Sequence, residues 1–124
     1  MREIKFRALG TDGQWWYGEP TPEGERHVNL ATFFANLHTG GLNPETCGQY
    51  TGLKDKKGSE IYEGDILADT HSPKEYYILG KVTYSDTPNC INAGAFTVPG
   101  EEAELWHLCE VIGNIYENPE LMEG

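Results

Sequence analysis

No lysine or arginine follows Lys81, and no stretch approaches the roughly 20 consecutive apolar residues that a membrane-crossing helix requires. The three cysteines, Cys47, Cys90 and Cys109, are an odd number with no CxxC pair, so neither a disulfide framework nor a cysteine-rich zinc module is indicated. Reduced thiols in a cytoplasmic protein are the simple account. Met1-Arg2-Glu3-Ile4-Lys5 shows no apolar run of the signal-peptide kind, and a cytoplasmic location is expected. The chain's most patterned stretch, 48–67, lacks the Ser, His or Cys groupings that covalent or acid–base chemistry uses. A non-catalytic protein without cofactor or small-molecule substrate is the expectation.

What the chain has in quantity is negative charge, glycine and rings. The formal charge is −11, a field that repels phosphate backbones and disfavours general nucleic-acid binding. Two alternatives stay open: an acidic surface that imitates nucleic acid towards a basic partner, and direct contact through small basic spots. Arg2, Lys5 and Arg7 are read as one basic face, and Lys54, Lys56 and Lys57 form a basic tip near Tyr50. Fifteen glycines and seven prolines predict many tight turns, while seven tyrosines, four phenylalanines and three tryptophans suit half-buried strands. With 124 residues, a single domain is expected, its hairpin and helix in about 1–45 and a barrel-like part in about 46–117.

Residues 3–8 alternate, with Ile4, Phe6 and Ala8 on one face and Glu3, Lys5 and Arg7 on the other, which is a strand. Thr11-Asp12-Gly13-Gln14 is a turn, and Gln14-Trp15-Trp16-Tyr17 the returning strand. The adjacent tryptophans must point to opposite faces, so only one can enter the core. Residues 19–26 form a charged loop. Leu30, Phe33, Phe34 and Leu37 fall at helical spacing, with Asn29 as cap and Gly40-Gly41 as stop, although Phe33-Phe34 and Thr32 would also suit a strand.

From Pro44 onward the pattern is β. Asp55-Lys56-Lys57-Gly58 is a turn, 59–62 a strand and Glu63-Gly64-Asp65 a tight connection opening the next strand. Residues 76–84 form a long strand with a bulge marked by Gly80, 86–94 a loop, and 95–98, 105–109 and 110–116 the closing strands. The fold class is all-β or β-dominated: a small curled sheet or a partly open SH3-like barrel, with an N-terminal hairpin and one short helix.

Three segments together resemble the YopX family of small phage and prophage proteins: Arg2-Glu3-Ile4-Lys5-Phe6-Arg7-Ala8, the stretch from Gly48 to Leu67, and Glu110-Val111-Ile112-Gly113-Asn114-Ile115-Tyr116-Glu117-Asn118-Pro119-Glu120-Leu121. They follow the family's order from end to end of the chain. Leu9 departs, standing where such proteins often have tryptophan, and 19–43 and 85–104 match nothing firmly. The resemblance implies a β-rich fold, a phage or prophage gene and the cytoplasm of a bacterial host. It brings no catalytic residue and no cofactor.

His107 and Cys109 would share a strand face, but a structural zinc site wants four soft ligands in close pairs, so no metal is assigned. Asp65 in its Gly64-Asp65 turn is expected to accept backbone N–H bonds, and Gly64 and Gly113 are likewise read as structural turn residues. Trp15-Trp16-Tyr17 and Phe33-Phe34 supply more rings than one small sheet face can bury. Trp15, Trp16, Phe33 and Phe34 are therefore the expected contacts for a protein partner or a second copy, with the acidic residues Glu101, Glu102 and Glu104 as a second surface.

Overall fold

The computed structural model describes residues 4–69, 77–85, 95–97 and 107–122. The chain divides into two compact units, Met1–Tyr50 and Thr51–Gly124.

In the first unit, β1 (Phe6–Leu9) and β2 (Trp15–Gly18) form the expected antiparallel hairpin, pairing Phe6 with Gly18 and Leu9 with Trp15. Its turn closes through Gly10 N–H on the Gln14 carbonyl at 2.9 Å, and Gly13 takes the positive φ of 76° that a side chain would resist. The charged loop then delivers β3 (His27–Val28), a two-residue strand lying parallel to β2. Two residues carry no periodicity, so pattern reading assigns this segment to no element.

Between helix and strand, residues 29–38 resolve to helix. α1 (Leu30–Thr39) starts where Asn29 Oδ1 accepts the Thr32 N–H at 2.8 Å. It stops where left-handed Gly40 (φ 94°) returns its N–H to the Asn36 carbonyl at 3.1 Å. Buried Phe33 packs with Ala8 and Leu42, flanked by Phe6, Trp16, Val28 and Leu37. Gly18 lets the helix approach: a Cβ there would stand 2.5 Å from the Phe33 ring. After a 3-10 turn (Pro44–Thr46), the first residues of β4 (Gly48–Lys54) pair antiparallel with β1.

The second unit takes over within β4, which neighbours β5 (Glu60–Tyr62). Next come β6 (Asp65–Asp69), β7 (Tyr77–Lys81), β8 (Thr83–Ser85), β9 (Ala95–Thr97) and β10 (Cys109–Asn114). β6 is the middle strand of the order β10-β6-β7, and its successive side chains Ile66, Leu67 and Ala68 are all buried, so both faces are covered and the apolar run is continuous. β8 and β9 form a separate two-stranded pair. The core here is aliphatic: Ile61, Leu67 and Val82, with Leu79 and Val111 against them.

The fold is strand-dominated with one α-helix, as expected, and no sheet closes into a barrel among the described residues. Two local expectations are corrected. The strand expected over 76–84 divides at buried Val82, whose N–H donates to the Asp65 carbonyl and whose carbonyl accepts from Gly64, both at 2.8 Å. The bulge expected at Gly80 is there: the register with β6 slips between Leu67 and Ala68, beside Gly80 at φ 142°. Of the strand expected over 105–109, His107 and Leu108 lie in a 3-10 turn and Cys109 opens β10, while 105 and 106 lie outside the described residues.

Candidate partner-binding surface

The rings singled out in the sequence divide by burial. Phe33 is fully buried, so it cannot serve as a partner contact; its role is to support the rings outside it. Phe34 leaves 43% of its surface exposed and meets half-buried Phe6 edge-on, at 5.1 Å between centroids. Phe33 lies behind both, 5.4 Å from Phe34 and 6.4 Å from Phe6. Ile4, two residues before Phe6, is 53% exposed. Edge-to-face contacts of this kind hold a ring's orientation. The helix thus turns one phenylalanine inward and holds its neighbour at the surface.

The two tryptophans take opposite faces. Trp16 packs towards the Ala8–Phe33–Leu42 core, and its indole Nε1–H donates to Asp12 Oδ1 at 3.3 Å. Trp15 is covered from the other side by the buried Arg7, whose guanidinium carbon sits 4.3 Å from the ring centroid. The expected basic face is accordingly turned to internal duty. Lys5 lies 5.6 Å from the Tyr50 ring and 3.7 Å from Glu19 Oε2. In the other basic spot, Lys57 bonds Glu110 at 2.8 Å, a hydrogen bond that raises its pKa above the ordinary lysine value.

Sequence reading missed a polar cleft of about 500 Å³ lined by Lys5, Glu19, Pro20, Thr21, Glu23 and His27. Buried Glu19 and the ring nitrogen Nδ1 of His27 are 2.5 Å apart, and the imidazole stacks on Tyr17 at 4.8 Å. A carboxylate on Nδ1 fixes the ring and leaves Nε2 as its other hydrogen-bonding atom. The pair also ties β3 to the residue after β2. Glu19 and His27 are eight positions apart across a proline-rich loop, and no local spacing rule connects them.

The structural turn residues sit as follows. Asp65 is buried and its Oδ2 accepts the Tyr62 N–H at 2.7 Å. A Cβ on Gly64 would stand 2.9 Å from the Tyr116 ring. Gly113 adjoins a register slip against β6, and a Cβ there would meet Asn118 Oδ1 at 2.6 Å. A further carboxylate, Asp55, was read only as part of a turn. It is buried, its Oδ1 accepts N–H bonds from Lys57 and Ser59 at 2.9 Å each, and its Oδ2 accepts one from Val111 at 3.0 Å.

Among the described residues, no group of three or more His, Cys, Asp or Glu could hold a metal ion. Cys47 and Cys109 are not in disulfides. Cys90, His71, Arg2 and the acidic residues Glu101, Glu102 and Glu104 lie outside the described residues. No helix among those described is long and apolar enough to cross a membrane.

Fold and surface define a small strand-dominated protein in which a helix packed on a hairpin carries an exposed ring, Phe34. The chain belongs to the YopX family, whose model, described as YopX protein, matches residues 5–123. It is similar to the crystal structure of protein EF1440 from Enterococcus faecalis, at 27% identity and a TM-score of 0.61, over 98% of this chain and 99% of that one. No curated protein matches the chain in sequence.

Proposed function

We propose that this YopX-family chain is a non-catalytic accessory protein of a phage or prophage, acting in the bacterial cytoplasm by binding a basic protein. The observation that carries the reading is the exposed Phe34 ring set edge-on against half-buried Phe6, with Phe33 packed against both and exposed Ile4 two residues before Phe6. Rigid aromatics lose little entropy on docking and are the residues that anchor interfaces. The occupant follows from charge. A net charge of −11 opposes close approach of a second copy and of phosphate backbones, and attracts a basic rim. Arg7 and Lys5, the cations a nucleic acid would need on this hairpin, are engaged with Trp15, Glu19 and Tyr50.

The test is cross-linking in the bacterial host with the intact chain and with Phe34→Ser. The reading expects a protein adduct that disappears with Phe34→Ser while circular dichroism is unchanged, and a purified pair that weakens steeply with added salt. Adducts with nucleic acid, an adduct indifferent to Phe34, or a dimer mass for the isolated protein in sedimentation would each overturn it. The dimer would redirect the same rings to self-association.

A further inference from the structure

Beside the hairpin turn lies a smaller cleft, about 270 Å³, with Asp12 and Trp16 on one side, Thr32 and Asn36 of α1 on the other, and Val28 and Leu42 among its lining. This is the scale of one long side chain rather than of a drug-sized ligand, whose sites run from roughly 300 Å³ upward. Its chemistry is lopsided. Trp16, Val28 and Leu42 supply apolar and aromatic surface, and the polar groups are mostly oxygens: the Asp12 carboxylate, the Thr32 hydroxyl and the Asn36 amide. The Asn36 amide is oriented, because its Nδ2 donates to the Thr32 carbonyl at 2.9 Å while Oδ1 faces the Gly41 side.

Asp12 is held as well. Its Oδ1 accepts the Gln14 N–H at 3.0 Å and the Trp16 indole N–H at 3.3 Å, so carboxylate and indole are fixed as one unit. Those bonds, the Gln14 N–H foremost, lower the Asp12 pKa below the ordinary 3.8, with the charge of Arg26 a weaker contributor, and the group is anionic at neutral pH. An ionised carboxylate joined to an indole, in a cleft that also has apolar Val28 and Leu42 and the side-chain oxygens of Thr32 and Asn36 in its lining, offers a flat organic cation each thing it needs. The second carboxylate oxygen, Oδ2, takes an N–H group, the ring takes its face, and the apolar lining takes its methylene stem.

We propose that this cleft is a docking pocket for the guanidinium group of an arginine side chain carried by the basic protein partner. The inference rests on the reading of the chain as a binder of a basic protein and names the group that partner presents. Arginine is preferred over lysine because a planar guanidinium can stack on Trp16 and bond the carboxylate at once, whereas an ammonium does only the second well.

The probe is blocked arginine (N-acetyl-arginine methylamide) at low salt, with the neutral isostere blocked citrulline and with blocked lysine as comparators. The readout is the indole N–H signal of Trp16 and the side-chain amide signals of Asn36 in an NMR titration, Trp16 being assigned from a Trp16→Phe sample. Arginine should give a saturable shift of both, with citrulline and lysine at least tenfold weaker. Asp12→Asn should weaken the arginine response at least tenfold; asparagine can still accept the Gln14 N–H, so the turn persists and the loss reports charge. Equal responses to arginine and citrulline, an Asp12→Asn variant that responds like the parent, lysine binding as well as arginine, or no response would each overturn the pocket. The Phe34→Ser cross-linking result stands independently, so a failed pocket and a failed binding surface are told apart.

Discussion

Ring-on-ring packing organises Met1–Tyr50, where Phe33 fills the core and Phe6 and Phe34 lie against it. In Thr51–Gly124 the interior is aliphatic Ile61, Leu67 and Val82, and two buried carboxylates, Asp55 and Asp65, fix the turns. The difference bears on function. A carboxylate surrounded by backbone N–H donors has its lone pairs engaged and little left to offer a ligand. Aromatic rings crowded around a ten-residue helix exceed what its one inward face can cover, so some remain at the surface. The proposed binding surface accordingly belongs to the unit built on rings.

The strongest way to sharpen that contrast is Phe33→Ala. Emptying a fully buried ring position should cost about 3–5 kcal/mol in chemical denaturation. Next is Asp55→Ala, which strips the acceptor from three backbone N–H groups of Lys57, Ser59 and Val111 and should cost about 2–3 kcal/mol by the same measurement. A cost as small as that of an exposed substitution would remove the carboxylate half of the comparison. Gly18→Ala should cost about 1–3 kcal/mol, because the added methyl meets the Phe33 ring and the helix must shift outward.

Phe34→Ser should change stability by no more than about 1 kcal/mol, since the ring is already half in water, while abolishing partner cross-linking. A large loss of stability there would make Phe34 a core residue and dissolve the proposed surface. The smallest effect concerns Asp12. Its pKa in the folded protein is depressed, so the stability it adds is present above the ordinary 3.8 and fades as pH falls through the lower folded value. Denaturation profiles of the parent and Asp12→Asn should converge on acidification below that point and separate above it.

Much of the architecture could be read from local pattern because local physics decides it. Asn29 and Gly40 bound the helix through one side-chain acceptor and one left-handed residue. Alternation in 3–8 and the Gly13 turn specify the hairpin, and Gly80 marks the bulge of β7 against β6. What escaped was non-local. β3 is two residues long and exists by pairing with β2; Glu19 finds His27 across the loop; Asp55 reaches Val111, 56 positions away.

Sequence alone settled the strand-rich class, the family resemblance and the excess of rings and negative charge, since each follows from composition or from contacts a few residues apart, while 29–38 stayed open between helix and strand until packing decided it. Which phenylalanine is buried, which tryptophan faces the core, and where a carboxylate, an indole and an amide converge on one cleft were decided by tertiary packing. Adjacent rings look alike until a sheet, a glycine and a helix compete for the same volume, and only that competition assigns one inward and the next to solvent.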